Sequence, residues 1–188
     1  MPLISKTELN DKKDIFLNDI REGVLFIYPT DTIYGIGCDA TNSASVNKVR
    51  KVKERFDMPF SIIAPSKEWI KKNCVVDDGV EEWLKKLPGP YTLILKLKNR
   101  NCVSKEVNLG LDTLGVRIPD HWFTKEVVDV VGKPIVTTSV NKHGQEYMTN
   151  INDLDSSIRP EYIFYEGVKK GKPSSIVDLT GKKPVVKR

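Results

Sequence analysis

Histidine, cysteine and long apolar runs are scarce in this 188-residue chain. Two histidines, His121 and His143, and three widely spaced cysteines, Cys38, Cys74 and Cys102, with no CxxC pair, supply neither a zinc site nor a disulfide framework. No resident metal ligands are therefore expected, and the thiols read as reduced; a thiol acting as nucleophile beside a histidine stays open as an alternative. No apolar run approaches the roughly 18 residues of a membrane-spanning helix. The N-terminus, MPLISKTELNDKKD, turns polar too soon for a secretory leader. A cytoplasmic protein with no membrane partner is expected. The sequence contains no GxxxxGK[ST] and no GxGxxG, which removes P-loop and Rossmann nucleotide binding. Repeats, low-complexity tracts and linkers are also missing, so residues 1–188 read as one domain.

What is present is a composition of 39% hydrophobic and 29% charged residues, enough for a core without covalent staples. Thirty Lys and Arg against 25 Asp and Glu leave a net charge of +5. That balance permits an anionic partner such as a nucleotide, an RNA or an acidic surface, and equally permits a solubilising lysine coat.

The patterning alternates helices and strands. Residues 8–21 carry an interrupted apolar face and end at Gly23. Val24–Tyr28 is a continuous apolar run that suits a buried strand. A helix is expected over 43–54 with Ser43 as its cap, and another over 78–86 and over 121–131. Strands are expected at 60–64, 91–97, 115–119, 134–138, 162–165, 175–179 and 185–187. The fold class is α/β (α+β): a twisted open mixed sheet with flanking helices.

Polar clusters follow the apolar strands, and in open α/β sheets ligands gather at the carboxyl ends of strands. Strand 24–28 runs into Pro29-Thr30-Asp31-Thr32-Ile33-Tyr34-Gly35, and strand 134–138 into Ser139-Val140-Asn141. Helix 43–54 ends in Lys53-Glu54-Arg55. Each cluster also has a plain reading as a turn, a cap or a solvated helix end. Arg117 differs, because a charge inside Val-Arg-Ile must either reach solvent or find a partner, of which an anionic ligand is one. Together the clusters are rich in hydroxyls, amides and cations, the chemistry that holds phosphate and carboxylate groups.

In this order, the stretches Tyr28–Gly37, Lys53-Glu54-Arg55, Leu87–Thr92, Gly115–Asp120, Thr138–Asn141 and Pro173–Leu179 resemble the YrdC-like family, whose members include threonylcarbamoyl-AMP synthases. The resemblance runs from about residue 23 to the end of the chain. It implies a YrdC-like sheet with a large concave basic cavity. It also implies condensation of L-threonine, bicarbonate and ATP, with Mg²⁺ accompanying ATP, to threonylcarbamoyl-AMP and pyrophosphate. In the family, a transferase complex passes that group to adenosine 37 of tRNA. Carried onto this sequence, the resemblance implies that Lys53, Arg55, Ser139 and Asn141 carry catalysis and face the ATP phosphates. Thr113, Lys187 and Arg188 are implied as further ATP contacts. Thr32, Tyr34, Arg117, Thr137 and Ser174 are implied for L-threonine. The chain departs from the family pattern at Met58, where a second Lys is usual, and at Ile63, where some members have His. It departs again in Lys142–Tyr147 after Ser139-Val140-Asn141, and at Lys187-Arg188, where the usual Gly is missing. There is no room for the additional C-terminal domain of larger members.

Two other readings compete. One is an RNA-binding module of the same fold without synthase activity. It draws on the basic balance, but aromatics make up only 8% and no RRM, KH or double-stranded-RNA signature occurs. The other resembles the carbamoyl-adenylate module of hydrogenase maturation factors, whose CxxC segments this chain lacks.

Overall fold

The computed structural model describes residues 1–142 and 144–187. His143 and Arg188, one of the expected ATP contacts, lie outside the described residues.

Strand β1 (Leu3–Ile4) precedes helices α1 (Lys6–Asp11) and α2 (Lys13–Glu22). Strands β2 (Phe26–Tyr28) and β3 (Gly35–Gly37) lead to α3 (Ser43–Lys53) and β4 (Ser61–Ile63). Helices α4 (Lys67–Asn73) and α5 (Asp78–Leu84) precede β5 (Tyr91–Lys96), α6 (Lys105–Asn108) and β6 (Thr113–Arg117). A π-helical turn (Thr124–Val128) continues into α7 (Asp129–Val131) and then β7 (Ile135–Ser139). The remainder is a 3-10 turn (Ile151–Asp153) and strands β8 (Tyr162–Phe164), β9 (Ser175–Asp178) and β10 (Val185–Val186). One ten-stranded sheet runs through these residues in the order β1-β8-β2-β3-β7-β4-β6-β5-β9-β10. It is mixed: β2 and β8, β4 and β6, and β5 and β9 are parallel, whereas β7 is antiparallel to both neighbours.

The expected α/β class and open mixed sheet stand. Local differences have local causes. The helix expected over 8–21 is broken at Lys12, because Ser5 and Glu8 form a capping box that starts a separate first turn. Gly23 does end α2, in the left-handed region at φ 91°. The cap of α3 is Asn42, which accepts the Ser45 N–H, and Ser43 is the first helical residue. Strand β3 was hidden by its two glycines, which carry no side-chain pattern. Helix α4 has only seven residues, too few for a periodic signal.

Strand alternation divides the interior in two. Ile27, Ile36, Ile62, Leu93, Val116 and Val136 face the larger core, with Val46 and Val49 of α3 and Val80 and Leu84 of α5. Phe26, Tyr28, Ile63 and Ile135 face a smaller, aromatic core with Phe16 and Ile20 of α2 and Phe123. Continuing the second parity along β4, β6 and β7 gives Ser61, Gly115, Arg117, Thr137 and Ser139. Thus the sheet face that is aromatic on one side becomes polar across its middle. Gly115 leaves that polar stretch hollow, since a Cβ there would lie 2.4 Å from Ser61 Oγ.

Candidate active site

A cavity of about 470 Å³ opens on that polar stretch. Its walls come from the loop after β2 (Thr30, Ile33, Tyr34), the loop after α3 (Arg55, Met58, Pro59) and the sheet (Ser61, Thr92, Arg117, Thr137, Thr138, Ser139, Ile176). Asn141, Tyr147, Pro173 and Ser174 complete them.

One cluster gathers where α3 meets the end of β7. Lys53 closes α3 and is buried, whereas Glu54 takes a left-handed conformation at φ 51° and turns the chain, so Arg55 reaches the cavity. The spacing Lys-x-Arg therefore sets one cation behind the wall and one on it. Lys53 Nζ donates to the Ser139 carbonyl at 2.6 Å and to Asn141 Oδ1 at 2.7 Å. Ser139 Oγ donates to the same Asn141 oxygen at 2.6 Å, and Asn141 Nδ2 donates to the Gln145 carbonyl at 2.7 Å. Burial, and then the nearby Arg55 charge, pull the Lys53 ammonium down to about 7. Arg55 Nη2 donates to the Pro59 carbonyl at 2.7 Å, and its guanidinium lies 5.3 Å from the Phe60 ring centre. Beneath this loop, buried Arg50 donates to the carbonyls of Arg55 and Met58 and fixes their course.

A second cluster surrounds Arg117. Its Nη2 donates to Asp31 Oδ1 at 2.6 Å and to Thr32 Oγ1 at 3.3 Å, with both members of the ion pair nearly buried. The other Asp31 oxygen accepts the Asp120 N–H at 3.1 Å. Thr30 Oγ1 donates to the Ile33 carbonyl at 2.7 Å and lies 3.0 Å from Thr32 Oγ1, which fixes the loop after β2. Across the cavity, the hydroxyls of Thr92 and Ser174 are 2.8 Å apart, both buried. Strand register brings them there: Thr92 sits beside Ile176 on the parallel β5–β9 pair. Tyr34 is fully buried; its hydroxyl donates to the Gly167 carbonyl at 2.7 Å, and burial pushes it up to about 12.

Of the sequence-derived residues, the cavity wall unites Arg55, Ser139, Asn141, Tyr34, Arg117, Thr137 and Ser174. Lys53 and Thr32 stand one bond behind it, through Ser139 and Asn141 and through Arg117. Thr113 is at the far end of β6, opposite Lys96, and does not line the cavity. Lys187 is also off the wall, with its amine 2.8 Å from Asp178 and half exposed. The departures Met58 and Tyr147 are both wall residues, whereas Ile63 faces the aromatic core. Sequence reasoning did not single out Asp31 or Arg50 for the site. An arginine at a strand end and another on the apolar stripe of a helix were the signals that each needed a buried partner.

Among the described residues no group of three His, Cys, Asp or Glu could hold a metal ion. The three cysteines are buried, and burial raises every one of their thiols, Cys74 to about 12. A thiolate nucleophile has no support from that environment. No helix among the described residues is long and apolar enough to cross a membrane.

Comparison with known proteins finds a family and several relatives. The Sua5/YciO/YrdC family, described as "Telomere recombination", matches residues 18–188. A protein of Methanocaldococcus jannaschii, provisionally named a threonylcarbamoyl-AMP synthase, is 34% identical over 94% of this chain and 87% of its own length. The threonylcarbamoyl-AMP synthase of Vibrio campbellii is 27% identical over 86% of this chain and 91% of its own. The crystal structure of P. abyssi Sua5 complexed with L-threonine superposes with a TM-score of 0.86 at 30% identity, covering 98% of this chain. This chain spans 56% of that longer one.

Proposed function

The chain belongs to the Sua5/YciO/YrdC family, and from that premise we propose that it is a threonylcarbamoyl-AMP synthase that condenses L-threonine, bicarbonate and ATP. The observation that carries the reading is the union of two chemistries in one cavity: cations and amides around Arg55, Ser139 and Asn141, and a guanidinium set among hydroxyls around Arg117.

The threonine carboxylate pairs with Arg117, already oriented by Asp31. Thr137, Ser174 and the Thr32 loop supply hydroxyls around the rest of the amino acid. The amine becomes a carbamate by attacking carbon dioxide, with one proton released to solvent, or bicarbonate, with water as the leaving group. A carbamate oxygen then attacks the α-phosphorus of ATP, the bond to the bridging oxygen breaks, and pyrophosphate leaves with its charge. No side-chain nucleophile is needed; the protein's part is to position the two substrates and answer their charge. Arg55, with the Ser139 and Asn141 side chains, meets the phosphates, while Lys53 fixes that turn from behind and adds its charge. The wall offers no carboxylate cluster, so a divalent ion fits here only as one carried in on the phosphate oxygens, as Mg²⁺ commonly is. The product is a reactive mixed anhydride whose carbamoyl group goes on to tRNA through a transferase partner.

The test is pyrophosphate and adenylate release with ATP, Mg²⁺, bicarbonate and L-threonine, omitting each in turn. Release that requires both threonine and bicarbonate is expected. Folded protein that binds ATP but releases no pyrophosphate would overturn the reading.

A further inference from the structure

Residues 165–174 have no regular structure and end in two residues of the cavity wall, Pro173 and Ser174. This strap is fastened at several points. Tyr165 stacks on Tyr34 with ring centres 5.5 Å apart. The Tyr34 hydroxyl accepts the Glu166 N–H at 3.1 Å while donating to the Gly167 carbonyl. Lys169 N–H donates to the Thr149 carbonyl at 2.9 Å. Gly171 lies so close to the loop after β2 that a Cβ would come within 2.2 Å of the Thr32 carbonyl oxygen.

The densest fastening is the Glu166 carboxylate. Trp122 Nε1 donates to Oε2 at 2.6 Å, His121 Nε2 lies 3.0 Å from Oε1, and the Lys169 ammonium bonds the same oxygen. His121 Nδ1 accepts the Phe123 N–H at 3.2 Å, so the neutral ring carries its proton on Nε2 and donates it to Glu166. Burial alone would raise the Glu166 carboxyl; Lys169, Trp122 and His121 together hold it below the usual carboxylate range. His121 and Trp122 follow directly on Asp120, whose N–H holds Asp31 against Arg117. A single carboxylate thereby ties the strap to the segment that orients the buried arginine. Nothing in the adenylation chemistry uses this group.

We infer that Glu166 is a positioning residue that pins the strap across the Arg117 side of the cavity, closing it around the amino acid once bound. The inference rests on the threonine reading for the identity of that amino acid. The pin itself does not. Residues assigned to threonine on resemblance meet the strap from three directions: Tyr34 holds its start, Thr32 abuts Gly171, and Ser174 is its end. Releasing the pin therefore loosens the amino-acid pocket and leaves the cluster around Lys53 and Asn141 intact. Lys170 is exposed on the strap and follows Lys169, so the bonds after these two residues make its opening readable by trypsin; the bond after Lys172 leads into Pro173 and is not a tryptic site.

The experiment compares wild type, Glu166→Gln and Trp122→Phe, the last removing one donor but keeping a ring against Phe123. Thermal melting checks that each folds. Tryptic cleavage after Lys169 and Lys170 is followed by mass spectrometry, and L-threonine and ATP binding are measured separately by calorimetry. Glu166→Gln is expected to be cut at the strap at least about fivefold faster and to bind L-threonine about tenfold more weakly, with ATP affinity within twofold, a tenfold change being about 1.4 kcal/mol. Trp122→Phe should move in the same direction by less, and the double variant should bind no more weakly than Glu166→Gln alone. Equal cleavage of folded wild type and Glu166→Gln would overturn the pin. Faster cleavage with unchanged threonine affinity would overturn its role in the pocket. Equal loss of ATP and threonine affinity would mark a general structural role and likewise overturn it. If wild type bound no L-threonine, the proposed substrate would fall, and cleavage would still decide whether Glu166 fastens the strap.

Discussion

Two buried cations serve the same cavity on opposite terms. Arg117 is matched by Asp31 at 2.6 Å, and that carboxylate is in turn held by a backbone N–H. Lys53 has only neutral partners, a carbonyl and an amide oxygen, and its nearest charged influence is the repelling Arg55. A matched guanidinium is an orienting device: its charge is satisfied before substrate arrives, so it selects geometry. An ammonium without a counter-ion is costly in the empty protein and becomes favourable when an anion enters. The contrast suits an amino acid that must be aligned and a triphosphate whose charge must be neutralised.

Removing the matched charge should do the most damage. Arg117→Met leaves the Asp31 carboxylate nearly buried without its partner, which should cost about 3–5 kcal/mol in a denaturant titration and abolish threonine-dependent turnover. A loss below about 1 kcal/mol would break the comparison, since it would mean the pair is solvated.

Lys53→Met should behave in the opposite way. Turnover should fall about 100-fold, as for removal of one preorganised charge or donor, while the denaturant midpoint holds or rises. A collapse in stability equal to that of Arg117→Met would show that Lys53 is as well matched as Arg117.

The pH dependence follows from the same asymmetry. Lys53 has a folded value near 7 against an ordinary value of 10.5. Between those values the unfolded chain keeps the proton that the folded chain has lost, so its contribution to stability rises with pH. Below 7 both states are protonated and the full cost of the buried charge is present. Wild type should gain stability relative to Lys53→Met from pH 7 toward pH 10; parallel curves would remove the assignment.

The smallest effect is expected at Lys187. It lies off the cavity wall and holds Asp178 down to about 2 through a partly exposed pair, so Lys187→Ala should change stability by about 0–1 kcal/mol. The KM for ATP should stay within twofold, and a tenfold rise would place Lys187 at the phosphates after all.

The sequence carried the sheet and most of the wall because both depend on pattern. Apolar runs such as Val24–Tyr28 announce buried strands; the wall itself combines residues beyond strand ends, such as Thr30 and Asn141, with Ser61, Arg117 and Thr137, which strand alternation sets on one sheet face. Lys53 and Arg55 were named through the family resemblance, since their place at a helix end also suits solvated cations. The direction each one takes depends on the left-handed turn at Glu54, which no composition signals in a non-glycine residue. Asp31 looked like a turn residue because its partner is distant in the chain and meets it only through the sheet. The Glu166 fastening was hidden for the same reason: Trp122 and His121 arrive from another segment altogether. Lys187 was named through the family resemblance, whereas its side chain pairs with the carboxylate of Asp178.

Cys38, Cys74 and Cys102 all lie within the larger core, just after β3, beside the end of β5 and before α6. The Cys38 and Cys74 thiols, with no exposed surface, meet a soluble alkylating reagent when that core opens, and Cys102, 9% exposed, reports the opening nearest the surface. The protein thus carries three native clocks for its own unfolding, spread across the sheet, and the rate at which each is stamped by a thiol-specific label ranks the local opening of its neighbourhood. A substrate that tightens one neighbourhood should slow that clock and leave the others running.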